Sequence, residues 1–187
     1  MKRLIVGVAF AAVFSALSFA APTLTLLPSG GQVGGIPGST AGWGFVLTNP
    51  DSNWVVLTGS SFTGSTVFGN YVDYLSMTGA PLYVAGPFPE TATVTQSWNP
   101  STTPPLGLGE FDINSTAPPG TSIPGNIIVH YSVFSQDPND PAFNPDNSTV
   151  VADATLSVAA DVNVVPEPAT LSLLAGGALV IMFRRRT

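Results

Sequence analysis

Ile127-Ile128-Val129-His130-Tyr131-Ser132-Val133-Phe134 is the stretch that decides the fold. Positions 127, 129, 131 and 133 are all large and apolar, while His130 and Ser132 fall between them. A period of two marks a strand with one face buried and the other in water; a helix would place its apolar residues three and four apart. The residue types agree, because β-branched and aromatic side chains fit a pleated, half-buried surface. The pattern predicts a strand over residues 125–134, with His130 on its polar face.

The same alternation recurs on both sides. Downstream, Ala154, Leu156, Val158, Ala160, Val162 and Val164 oppose Thr155, Ser157, Asp161 and Asn163, which predicts a strand over 150–164 with a break near Ala159-Ala160. Upstream, Trp43, Phe45 and Leu47 share one face of a strand over 42–48, and Asn49-Pro50-Asp51-Ser52-Asn53 reads as a hairpin loop into a strand over 54–58. Further strands are expected over 23–27, 71–77, 91–98 and 108–113, separated by clusters of Gly, Pro, Ser, Thr, Asn and Asp. No segment between residues 22 and 164 keeps a helical period. The fold class is therefore all-β: a single antiparallel β-sandwich, immunoglobulin-like or jelly-roll, without a Cys-Trp-Cys pin. There is no cysteine in the chain, and about 144 residues suffice for a core that needs no disulfides.

The ends of the chain are of another kind. Lys2 and Arg3 precede an apolar run over 4–17, and Ser18-Phe19-Ala20 places small residues where signal peptidase reads them. Residues 1–20 thus read as a secretory signal peptide, cut after Ala20; a cut after Ala21 would put Pro22 beside the scissile bond. A retained first membrane helix is the alternative. At the other end stand Val165-Pro166-Glu167-Pro168, fifteen uncharged residues over 169–183, then Arg184, Arg185 and Arg186. The prolines end whatever precedes them and hold Glu167 in an extended, accessible tripeptide. As a helix the apolar run rises about 22 Å, short against a hydrocarbon core of about 30 Å, so it predicts a weak transmembrane hold. The arginines are a cytoplasmic stop.

This order of proline-flanked glutamate, short apolar span and terminal arginine cluster resembles the PEP-CTERM sorting signal. The resemblance covers residues 165–187. It implies that Pro166, Glu167 and Pro168 are recognised by an exosortase, a membrane transpeptidase-like enzyme, in a bacterium that makes exopolysaccharide. It also implies a protein exported through the inner membrane, anchored there transiently with its C-terminus cytoplasmic, and then carried to the cell surface or released. An ordinary C-terminal anchor behind a proline hinge is the plainer alternative. Gly42-Trp43-Gly44-Phe45 and the turn after it also look like a pattern found in bodies that bear this signal, but that pattern names no activity.

Charge narrows the function of the body, residues 21–164. All five basic residues lie in the two terminal segments. Ten of the eleven acidic residues remain once Glu167 is set aside, so the body carries a formal charge of −10. A body without a cation cannot neutralise phosphates, which excludes nucleic-acid binding and electrostatic attraction to anionic lipid. With one histidine, no cysteine and no lysine in the body, most nucleophile, Schiff-base and metal chemistries lack their residues.

The remaining candidates each compete with a plainer reading. Glu110 and Asp112 point to one side of a strand; hydrolysis needs carboxylates on opposite sides of the scissile bond, so a polar strand face is the better account. Asp137, Asn139, Asp140 and Asp146 gather hard oxygen ligands for calcium, but their spacing fits no EF-hand and suits a turn-rich loop. Trp54 and Trp98, beside Asn53 and Asn99 at strand ends, are candidates for a sugar platform, while Trp43 follows the core period. No catalytic residue and no required cofactor is expected. The body reads as a non-enzymatic surface or matrix component associated with exopolysaccharide, or alternatively as a carbohydrate-binding module for it. The expected partners are exosortase, signal peptidase, the inner membrane and exopolysaccharide.

Overall fold

The computed structural model describes residues 20–90 and 92–167. Among these residues ten strands form two five-stranded sheets. They are β1 (Thr23–Leu27), β2 (Gln32–Gly35), β3 (Thr40–Thr48), β4 (Trp54–Phe62), β5 (Gly69–Asp73), β6 (Val84–Ala85), β7 (Thr93–Gln96), β8 (Gly109–Ile113), β9 (Ser122–Phe134) and β10 (Thr149–Val164). A single helical turn, α1 (Pro145–Ser148), precedes β10.

Sheet one runs β1-β3-β8-β5. Residues 45–48 of β3 pair with β1 and with β7, while residues 40–43 pair with β8, so β7 and β8 share one edge of β3 in tandem. Sheet two runs β2-β10-β9-β4-β6. The inward faces meet in one core that takes Trp43, Phe45, Leu47 and Phe111 from sheet one and Val55, Ile127, Val129 and Val162 from sheet two. Burying each such side chain contributes about 1.5–3 kcal/mol. Aromatic edges lock the centre: Phe45 meets Tyr83 at 5.0 Å and Phe62 meets Phe111 at 5.7 Å, both edge-on.

Three expectations need correction. Asn49–Asn53 is no hairpin, because β3 and β4 belong to different sheets and the segment carries the chain between them. The reason is Asn49, which is 0 % exposed. Its amide donates to the carbonyls of Asn53 at 2.6 Å and Gly86 at 2.8 Å, and its oxygen accepts from Asp51 N–H at 3.1 Å. The sheets are also not wholly antiparallel. β2 pairs with β10 in parallel, Gln32 opposite Asp161 through Gly35 opposite Val164. This follows from a chain that leaves sheet one after Leu27, turns through Pro28–Gly31 and enters sheet two still heading the same way. Finally, β10 is continuous through Ala159-Ala160, and its irregularities lie between Thr149 and Ala154 instead.

The strands align two poles. β10 ends at Val164 beside Gly35, and the loops 36–39, 63–68 and 114–121 lie at the same end. Thr23, Thr48, Trp54 and Phe134 mark the other end.

Candidate functional site

The site is where β10 hands the chain to the tail. Val164 is buried, its N–H donates to Thr121 O at 2.8 Å, and its carbonyl accepts from Gly120 N–H at 2.7 Å. Val165 N–H donates to Gly35 O at 2.9 Å, which is the last backbone bond of the parallel ladder. Pro166 has no N–H to extend it. Val165, Pro166 and Glu167 are exposed. The tripeptide therefore starts two residues after the end of a strand held on both edges, with only Val165 between. Pro168, Arg184, Arg185, Arg186 and the apolar run 169–183 lie outside the described residues, as does most of the signal segment. Among the described residues no helix is long and apolar enough to cross a membrane.

Ala20 and Ala21 are exposed at the opposite pole. They line a small cavity of about 110 Å³ with Asn49, Asp51, Val55, Tyr131, Val133 and Val151. Ala20–Ala21 and Pro166–Glu167 thus lie at opposite ends of the body.

The other candidates are scattered. Trp43 is core, and its indole N–H donates to Gly31 O at 2.9 Å. Trp54 and Trp98 are both half-buried. Trp54 belongs to sheet two, whereas Trp98 lies over Gly42 of sheet one, so they form no shared platform. His130 Nδ1 lies 3.1 Å from Asp153 Oδ1, with 43 % and 67 % of the side chains exposed. Exposed pairs of this kind contribute about 0–1 kcal/mol. The Asp137 loop is built from turns in which side-chain oxygens accept backbone N–H groups two residues on: Asn139 to Asp137 at 2.8 Å, Ala142 to Asp140 at 2.8 Å, Asp146 to Asn144 at 3.0 Å. Among the described residues no three His, Cys, Asp or Glu stand together as metal ligands.

One arrangement was invisible in the sequence. Glu110 and Asp112 do point away from the core, flanking inward Phe111. Glu110 Oε2 is shielded from solvent without a hydrogen-bond partner, and so is Trp98 Nε1. Both flank the hydroxyl of Tyr74, which burial pushes well above the ordinary phenol range; Glu110 raises it further and Trp98 pulls it back. Glu110 lies opposite Gly42, and a Cβ on Gly42 would strike the Trp98 indole. That glycine was the available signal, but nothing local says what needs its space.

No curated protein and no solved structure matches the chain. Residues 164–186 match the family model of the PEP-CTERM protein-sorting motif. The match begins at Val164, the residue that ends β10. With Pro166 and Glu167 exposed at the end of a clamped strand, this chain carries a PEP-CTERM protein-sorting motif, the mark of an exported protein handed to an exosortase.

Proposed function

We propose that this is a non-enzymatic surface or extracellular-matrix protein, associated with exopolysaccharide, whose Pro166-Glu167-Pro168 is the element an exosortase reads. The observation that carries the reading is the exposure of Pro166 and Glu167 directly beyond the last backbone bond at Val165. An enzyme at the membrane meets an extended, unpaired segment and a folded body immediately behind it. The Lys- and Arg-free body, with its one histidine in an exposed pair, supports a structural rather than catalytic role. Replacing Pro166, Glu167 and Pro168 together with alanine should leave the chain uncleaved at the inner membrane of a producing cell. Normal processing of that variant, seen by fractionation and intact mass, would sink the reading.

A carbohydrate-binding module is the second reading, favoured by the half-buried Trp98 indole beside the polar groups of Tyr74 and Glu110. Trp98 also lines an open groove of about 310 Å³ with Gln32, Thr40 and Gly42. Half-burial of both tryptophans on different sheets weighs against a stacking platform, so the structural role stands first.

A further inference from the structure

The pole from which the tail leaves differs from the rest of the surface. Loops 36–39, 63–68 and 114–121 contain no charged residue. They form one continuous end: Asn114 bonds Val67 O through its side chain at 3.1 Å and Phe68 O through its N–H at 2.9 Å. Ser115 in turn lies against Gly38. Val67 is 70 % exposed there, and Pro118 and Pro119 are exposed beside it. The far pole is the opposite, with Asp51, Glu90, Asp137 and Asp140 in its loops and Asp146 in α1. Its own exposed aromatic, Phe88, is tied to the Asp51 segment, its N–H donating to the Asp51 carbonyl at 2.8 Å. Apart from Glu167 in the tail itself, the carboxylates nearest this pole, Asp112 and Asp161, stand on outward strand faces rather than in the loops.

Length makes this polarity matter. The ladder holds the chain as far as Val165, and the apolar run starts at Ala169. The three intervening residues, four steps of about 3.3 Å, span at most about 13 Å. The headgroup layer they must cross is itself about 5–8 Å deep on each side of the bilayer. There is no slack for the body to stand clear of the surface. The far-pole carboxylates are about 40 Å away along β9 at ~3.3 Å per residue, several times the ~10 Å screening length at 0.1 M salt. They do not repel an anionic bilayer when the tail pole faces it.

From this geometry we infer that the uncharged tail pole, centred on Val67 and Pro118, is a membrane-contact surface that rests on the lipid headgroups while the chain awaits sorting. The inference depends on the reading of the tail as a membrane anchor. Its effect is to hold the body upright, with Glu167 confined to the narrow gap where a membrane enzyme works.

The absence of cysteine from the chain makes the test direct. Chains that begin at Ala21, as the expected signal cut would leave them, and carry Val67→Cys, Pro118→Cys, Ser52→Cys or Asp140→Cys are labelled with one fluorophore and reconstituted in vesicles of phosphatidylethanolamine and phosphatidylglycerol. A nitroxide on the lipid headgroup should quench the Val67 and Pro118 probes several-fold more strongly than the Ser52 and Asp140 probes. Adding Val67→Glu to the Pro118 probe should lower its quenching, with unchanged circular dichroism showing an intact fold. Equal quenching at both poles, or none at either in chains that float with the vesicles, overturns the contact surface. Chains that fail to float overturn the anchor reading itself, and the inference falls with it.

Discussion

Ser60 and three tyrosines bring hydroxyls into the interior. The Ser60 hydroxyl has one proton and three partners: Tyr71 Oη at 2.8 Å, Asp73 Oδ1 at 2.6 Å and Leu108 O at 2.8 Å. The latter two only accept, so Tyr71 is best placed to donate to Ser60, tying β4 of sheet two to β5 of sheet one. Burial raises the Tyr71 phenol well above its ordinary range, Ser60 lowers it in part, and Asp73 raises it further. Burial likewise raises Tyr74 and Tyr83. The sign follows from linkage. A phenol whose folded pKa is raised contributes stability that is fully present below the unfolded value of about 10 and is lost as pH rises through the folded value. The unfolding midpoint should therefore fall as pH passes about 10. Phenolate absorbance from these tyrosines should appear together with unfolding. Gradual titration near pH 10 in an intact fold would show that water reaches these hydroxyls.

β2 is the element on which the tail's geometry rests, and Gly31 is what lets it form. Gly31 has φ +67°, its carbonyl accepts from Trp43 Nε1 and from Asp161 N–H at 3.0 Å, and a Cβ there would strike the Ala159 carbonyl. Gly30 also has positive φ, +85°, but a Cβ on it would meet nothing. Gly30→Ala should thus cost only the backbone conformation, about 1–3 kcal/mol. Gly31→Ala should cost clearly more, because the obstacle is backbone and cannot swing away. It should also loosen β2 from β10 and speed proteolysis at Val165. Equal denaturant midpoints for the two variants would show that the turn does not hold the clamp.

At the scale of the whole molecule, residues 21–164 hold ten carboxylates and no lysine or arginine. His130 offers the body's one candidate side-chain cation, in an exposed pair with Asp153. Stability then rests on the shared core and the backbone ladders, while the carboxylates mainly repel one another over a screening length of about 10 Å at 0.1 M salt. Raising sodium chloride at neutral pH should raise the thermal midpoint from the lowest concentration onward. A midpoint that first falls with salt would show attractive electrostatics, such as a bound cation, holding the body together.

Much of this was legible in the sequence, because a period of two records local burial. Trp43, Phe45, Leu47, Ile127, Val129, Tyr131 and Val133 face the core as their spacing requires, and the order of charged, apolar and proline residues identifies the sorting tail. The all-β class and the tail's identity were determined there. What only the tertiary structure decided is where strands go once formed. Gln32-Val33-Gly34-Gly35 has little strand propensity and became β2 because the open edge of β10 needed backbone partners. Asn49 looked like a turn former, yet it is buried, satisfying carbonyls from segments up to thirty-seven residues away. The charge-free pole is assembled from three loops that are remote in sequence. Alternation reports which face of a strand is dry; it cannot report which edge that strand will join, because that choice is made by backbone pairing between distant segments.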